Sequence, residues 1–233
     1  RRMDQTMQNM VAATDSINAK LAALSEKASS ALVLIGAAGL ILARVFVTLR
    51  EVPVPATENA TILPQPRELP PLDLVDQDGR PLPDDFLHHR WTVVFFGFTQ
   101  CPDVCPTTLT TLAQMKKKLA DLPAEQQPRV LLVTVDPERD TPAILKPYVT
   151  FFDPSFLGAT GTLAGTGQAA SAFSIPFAKV PLPGGGYTMD HGAGLFVVSP
   201  AGALAAYSSP PLDATVLARD FRKVVEYFEA SHR

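Results

Sequence analysis

Both cysteines of the chain lie in one short segment, FFGFTQCPDVCPTTL, which occupies residues 95–109. Cys101 follows an apolar run that is typical of a buried strand, and Cys105 lies four residues further on. If a helix begins here, the two sulfurs share one face about one turn apart, and the helix N-terminus favours the thiolate form of both. Such a pair can close a disulfide, exchange thiols with a partner or bind a soft metal ion.

The residues alone leave three kinds of cysteine pair open. A stabilising disulfide would gain little, because a bridge between positions i and i+4 closes a very small loop. A redox pair usually has the spacing Cys-x-x-Cys, and here one further residue intervenes. A metal site made of two thiolates and one imidazole suits Cu(I), whereas zinc usually takes a fourth ligand.

The metal-site hypothesis needs a histidine, and the chain contains four. His88 and His89 lie in a polar turn and His232 lies in the C-terminal tail, so exposed positions explain these three. His191 is the candidate ligand, because it stands between a glycine-rich loop and a run typical of a buried strand. A histidine at the start of a strand is otherwise more often structural, and the cysteine pair is what favours a ligand.

The elements that must position these side chains alternate between buried strands and helices. The sequence predicts strands at residues 91–99 and 129–136, with a helix at 107–119 between them and another helix that begins after Asp140. A strand-turn-strand pattern follows in GLFVVSPAGALAAYSS, and an amphipathic helix at 212–228 closes the chain. We therefore expect an α/β fold with a central sheet flanked by helices.

The N-terminal part of the chain differs in composition from the rest. Residues 31–49 contain one charge, Arg44, and are long enough as a helix to cross a bilayer. We expect a transmembrane helix here, an amphipathic segment at 1–30 before it and a proline-rich linker at 50–67 after it. Residues 68–233 then form one globular domain. The basic residues before the span favour an N-terminus in the cytoplasm and a domain outside it.

The overall composition argues against two classes of protein. The net charge is −3 at pH 7, which argues against nucleic acid as a partner because phosphate binding needs a basic surface. Two cysteines are too few for a fold held by a framework of disulfides.

Three segments make the chain resemble the SCO/SenC family of copper-handling proteins, which assemble the Cu(A) centre of cytochrome c oxidase. They are GFTQCPDVCPTTL (97–109), VDPERDTP (135–142) and DHGAGLFVVSPAG (190–202), and their order and spacing also match. The resemblance covers about residues 69–228. It implies a thioredoxin-like fold that is anchored by one N-terminal helix.

The same resemblance implies that copper is bound by Cys101, Cys105 and His191. The softness of this donor set favours Cu(I), and Cu(II) is a further candidate beside it. Asp190 would be the acid that orients the histidine from outside the ligand set. Asp136 matches an acidic position near the site, and a helix-capping or loop role is equally open for it.

Two functions follow from the resemblance. The first is a copper metallochaperone that receives the ion from a donor protein and delivers it to the copper-bearing subunit of a terminal oxidase. The second is a thiol-disulfide oxidoreductase that reduces the recipient's cysteines, in which Cys101 and Cys105 are the redox pair and His191 is dispensable. A thiol peroxidase would need an arginine beside its reactive cysteine, and the cysteine motif holds none.

The expected location is the bacterial cytoplasmic membrane, with the domain on its outer side. The mitochondrial inner membrane is less favoured, because no long leader rich in arginine and poor in acids precedes the apolar segment.

Overall fold

The computed structural model describes the backbone of residues 2–48 and 52–231, and the chain divides into two compact units between Pro53 and Val54. The first unit consists of one helix, α1, Arg2–Thr48. The predicted transmembrane segment, 31–49, lies partly in α1 and partly outside the described residues. Among the residues that are described, no helix is both long and apolar enough to cross a membrane.

The described residues of the second unit form nine strands. They are β1 (Ala60–Glu68), β2 (Val75–Asp76), β3 (Thr92–Gly97), β4 (Arg129–Thr134), β5 (Leu157–Thr160), β6 (Phe177–Pro181), β7 (Tyr187–His191), β8 (Leu195–Val198) and β9 (Ala203–Ser208). Seven of them form a mixed sheet in the order β1-β9-β8-β3-β4-β5-β2. The three strands β3, β4 and β5 are parallel, and the remaining pairs are antiparallel. β6 and β7 form a separate two-stranded hairpin.

In the part of this unit that the structure describes, four helices accompany the sheet: α2 (Val104–Lys118), α3 (Pro142–Phe152), α4 (Leu163–Ala172) and α5 (Ala214–Ser231). Helix α2 contacts both α3 and α5, and α3 contacts β5. Strand β3 is completely buried and, apart from Thr92 at its start, contains no polar side chain, as expected for a central strand covered on both faces. The predicted α/β fold with a central sheet flanked by helices is therefore confirmed.

The N-terminal edge of the sheet corrects one predicted boundary. Residues 60–67 were expected to belong to a linker because of their prolines, but they form most of β1, which pairs with β9. Proline is tolerated on an edge strand, where its missing N–H can face away from the neighbouring strand. The pairing shifts register between Ile62 and Arg67, across the segment that contains Pro64 and Pro66. The globular unit consequently begins earlier than predicted.

Candidate metal centre

The two cysteines lie where β3 ends and α2 begins. Helix α2 begins at Val104, three residues before the predicted helix start. Cys105 therefore falls in its first turn and is completely buried. Cys101 lies in the preceding loop, is half-buried, and its Sγ accepts a hydrogen bond from the Cys105 N–H at 3.4 Å. Both thiols are free. The C-terminal end of the central strand therefore presents one accessible and one inaccessible sulfur.

Burial separates the chemistry of the two thiols. Loss of contact with water raises the pKa of Cys105, because the charged thiolate is poorly solvated there. The expectation that the helix N-terminus favours the thiolate form is thus wrong for Cys105, since desolvation outweighs the helix dipole. A bound metal cation would reverse this balance, because coordination deprotonates a thiol outright.

His191 is the last residue of β7 and lies opposite Phe177 in the hairpin. Its Nε2 is 3.8 Å from the Cys105 Sγ, and its Nδ1 is 3.0 Å from the Gly192 carbonyl oxygen. A carbonyl only accepts, so Nδ1 carries the proton and Nε2 presents its lone pair to the sulfur. The ring also packs edge-on against Phe98, with centroids 5.8 Å apart. The structure therefore holds the imidazole in the orientation that a metal ligand needs.

The distance between Cys105 and His191 fits a shared ion. Zinc–thiolate and zinc–imidazole bonds are about 2.3 and 2.1 Å long, so atoms 3.8 Å apart can both contact one ion of similar size. Among the described residues, no three His, Cys, Asp or Glu side chains are arranged to hold a metal. A site that uses Cys101, Cys105 and His191 together therefore requires at least one of these side chains to move.

The two predicted outer acids occupy different environments. Asp190 is exposed, and as the neighbour of His191 on β7 it faces the opposite side of the hairpin. Asp136 is buried, and its Oδ1 accepts a hydrogen bond from the Tyr187 hydroxyl at 2.9 Å while its Oδ2 pairs with Arg139. Asp136 thus contacts the hairpin that carries the histidine.

One buried acid near the cysteines was predicted only as the start of a helix. Asp140 is fully buried and accepts hydrogen bonds from the Thr99 hydroxyl at 2.5 Å and the Thr134 hydroxyl at 2.6 Å. Burial raises its pKa above the ordinary value, and its charge disfavours a thiolate at Cys105. Thr141 occupies the N-cap position of α3, without a capping hydrogen bond to its side chain. The available sequence signal was the mostly polar segment DPERDT (136–141) that follows β4.

The other histidines lie away from this site. His88 and His89 are exposed and precede β3, whereas the cysteines follow it. His88 pairs with Ala201 near the turn between β8 and β9. His232 lies outside the described residues.

A parallel β3–β4–β5 core, an antiparallel β8–β9 pair and a cysteine-bearing helix start define an α/β protein of the thioredoxin-like class. The sequence profile described as SCO1/SenC matches residues 61–226, and the chain belongs to this family.

Known proteins similar to this chain include both bacterial and mitochondrial members. A protein of Stutzerimonas stutzeri, named as a candidate copper-binding protein, is 37% identical over 170 residues, which cover 72% of this chain and 82% of that protein. The mitochondrial SCO2 homolog of Bos taurus is 32% identical over 158 residues, or 67% of this chain and 59% of that protein. The match thus spans less than two thirds of the bovine protein.

A solved structure with the same fold is Arabidopsis thaliana ScoI with copper bound. It has a TM-score of 0.64 and 28% sequence identity, and the match covers 68% of this chain and 99% of that structure.

Proposed function

We propose that this protein binds copper through Cys101, Cys105 and His191 and delivers it to the Cu(A) centre of cytochrome c oxidase during assembly. The observation that carries the proposal is the 3.8 Å separation of the Cys105 Sγ and the His191 Nε2. Two further facts support it: the chain belongs to the SCO1/SenC family, and ScoI, which has the same fold, was solved with copper bound.

The donor set suits a soft ion that must be released again. Two thiolates and one imidazole favour Cu(I), which accepts low coordination numbers. A partner's ligands can replace the donors stepwise, because the imidazole comes from a different segment from the two thiols. Cys101 is half-buried and faces an approaching partner, and His191 belongs to a hairpin outside the main sheet.

The proposed partners and location follow from the same role. Copper would come from a donor protein and pass to the copper-bearing subunit of a terminal oxidase. The apolar composition of residues 31–49 supports an anchor in the bacterial cytoplasmic membrane, with the second unit on the outer side.

A second candidate function is thiol-disulfide exchange with the recipient's cysteines. It is favoured by the two free thiols, one accessible and one buried directly behind it. The Cys101 thiolate would attack the partner's disulfide and form a mixed disulfide, and Cys105 would displace the partner and close an internal disulfide. The partner gains two electrons and two protons, and His191 takes no part.

Copper titration separates the two functions. We would titrate Cu(I) into the reduced full chain against a competing chelator, beside His191→Ala and the exposed-histidine control His89→Ala. Copper delivery predicts one tightly bound equivalent, a dissociation constant raised by roughly a hundredfold or more in His191→Ala, and no change in the control. If His191→Ala bound Cu(I) as tightly as the wild type, copper delivery through this site would be excluded and thiol exchange would remain as the function.

A further inference from the structure

The hairpin that carries His191 shares no strand pairing with the seven-stranded sheet. Its turn contains Gly184, Gly185 and Gly186, all with φ between 77° and 101°, so the tip is built from residues with little conformational restriction. The position of His191 relative to Cys105 therefore depends on the side chains that hold the hairpin against the rest of the unit.

Tyr187, the first residue of β7, makes two polar contacts of this kind, and Lys179 of β6 adds an ion pair with Glu138 at 2.6 Å. Its hydroxyl donates a hydrogen bond to the Asp136 Oδ1 at 2.9 Å, and its carbonyl oxygen accepts one from the Arg139 Nη1 at 3.0 Å. The Arg139 guanidinium also lies over the Tyr187 ring, 3.9 Å from its centroid. Tyr187 of the hairpin is thus held, through its side chain and its carbonyl oxygen, by two residues of the loop between β4 and α3.

Arg139 connects the hairpin to the cysteine loop as well. The same Nη1 donates a hydrogen bond at 2.9 Å to the Oε1 of Gln100, the residue that precedes Cys101. Its Nε pairs with the Asp136 Oδ2, so the buried carboxylate and the guanidinium fix each other. Arg139 therefore contacts each of the two segments that carry the accessible thiol and the imidazole.

We propose that Asp136, Arg139 and Tyr187 form a latch that positions His191 against Cys105 and so sets copper affinity and release. This hairpin latch rests on the copper site proposed above, and its members are positioning residues. Tyr187 and His191 are four positions apart on β7, about 13 Å at the rise of a strand, so the latch acts through the strand. Opening the latch would let the hairpin withdraw the imidazole and leave the ion on the two thiols.

Tyr187→Phe is the cleanest perturbation of the latch. It removes the hydroxyl bond to Asp136 while the ring remains under the Arg139 guanidinium. Removing Arg139 instead would leave the Asp136 carboxylate buried without its cation, which threatens the fold. Tyr207→Phe is the matched control, because Tyr207 is an exposed tyrosine on β9 of the main sheet.

The first test combines Tyr187→Phe with His191→Ala in the full chain and measures Cu(I) affinity and the rate of transfer to a chelator. A lost hydrogen bond to a carboxylate predicts about tenfold weaker binding and about tenfold faster release in Tyr187→Phe. Tyr207→Phe should match the wild type. Adding Tyr187→Phe to His191→Ala should change nothing further, because the latch acts through the imidazole. An equal loss in both backgrounds would show a general structural effect and overturn the proposal.

The second test needs no copper. Hydrogen exchange of the reduced apo protein should show β6 and β7 amides exchanging about tenfold faster in Tyr187→Phe, with β3 and β4 unchanged. Unchanged hairpin exchange would overturn the latch whatever the copper result. If the wild type bound no copper while hairpin exchange rose as expected, the proposed function would fail and the latch would stand as the contact that closes the hairpin.

Discussion

Gly97 lies against the thiol of Cys105, and replacing it by alanine tests how tightly that thiol is packed. A Cβ at this position would lie 2.9 Å from the Cys105 Sγ, 2.9 Å from the Phe95 ring and 3.2 Å from Leu132. Ordinary contacts begin at 3.4 Å, so the sulfur and the ring must each move by about half an ångström. The backbone of Gly97 is regular strand, so the change adds no conformational strain.

The expected cost follows from where these neighbours lie. Phe95 and Leu132 are fully buried and cannot move into solvent. Overpacking a core of this kind costs about 1–3 kcal/mol, and the reduced freedom of the unfolded chain returns about 0.4–1 kcal/mol. We expect Gly97→Ala to lower the free energy of unfolding by about 1–2 kcal/mol. Because the sulfur moves relative to His191, copper affinity should fall as well.

Urea denaturation followed by tryptophan fluorescence measures this loss. Trp91 is the single tryptophan of the chain and packs edge-on against Phe221 and Phe228, so its signal reports the second unit. Gly167→Ala is the control, since its Cβ meets nothing within 4 Å and helix α4 should gain about 0.5–1 kcal/mol. A Gly97→Ala protein that matched the wild type in stability and copper affinity would refute the packing described here.

Two further predictions concern the thiols and a buried acid. In the reduced apo protein, iodoacetamide should modify Cys101 roughly a hundredfold faster than Cys105, because the latter is buried and burial raises its pKa; equal labelling by mass spectrometry would contradict this. Asp220→Asn should cost about 2 kcal/mol of unfolding free energy at pH 7, because the carboxylate accepts the N–H groups of residues 58–60. Although burial opposes ionisation, these bonds hold the pKa of Asp220 below its ordinary value. The stabilisation is therefore complete above the unfolded pKa of about 3.9 and is lost as the pH falls through the folded pKa. The unfolding free energies of the wild type and Asp220→Asn, measured from urea curves, should converge in acid. A difference that stayed constant with pH would argue against a role for the ionised carboxylate.

The parts of the fold that the sequence predicts well are those governed by local pattern. Strand β3 was expected at 91–99 because an apolar run of that length cannot be left in water, and it is found at Thr92–Gly97. The C-terminal end of β3 determines where the segment with Cys101 and Cys105 lies. Strand β4 follows the same rule at Arg129–Thr134. Local hydrophobicity was enough to place both central strands within two residues at each end.

The features that escaped prediction depend on contacts between distant residues. Proline content indicated a linker at 50–67. The sequence does not show that β9 offers an edge on which a strand with prolines can pair, and this becomes visible only in the structure. The thiol of Cys105 was expected to ionise readily from its place in the helix, whereas its burial depends on strands elsewhere in the chain. Tyr187 and Arg139 carry no spacing that links them, so their contact is visible only in three dimensions.

The unequal burial of the three proposed ligands suggests an order in which a copper ion would be passed on. The Cys105 thiolate is the costliest of the three to leave without a cation, because it lies where water cannot stabilise its charge. Cys101 is accessible, so an incoming ligand reaches the ion from its side. In the proposed latch, His191 withdraws when its hairpin moves. Cys105 is therefore the donor that should release the ion last and regain a proton as it does so.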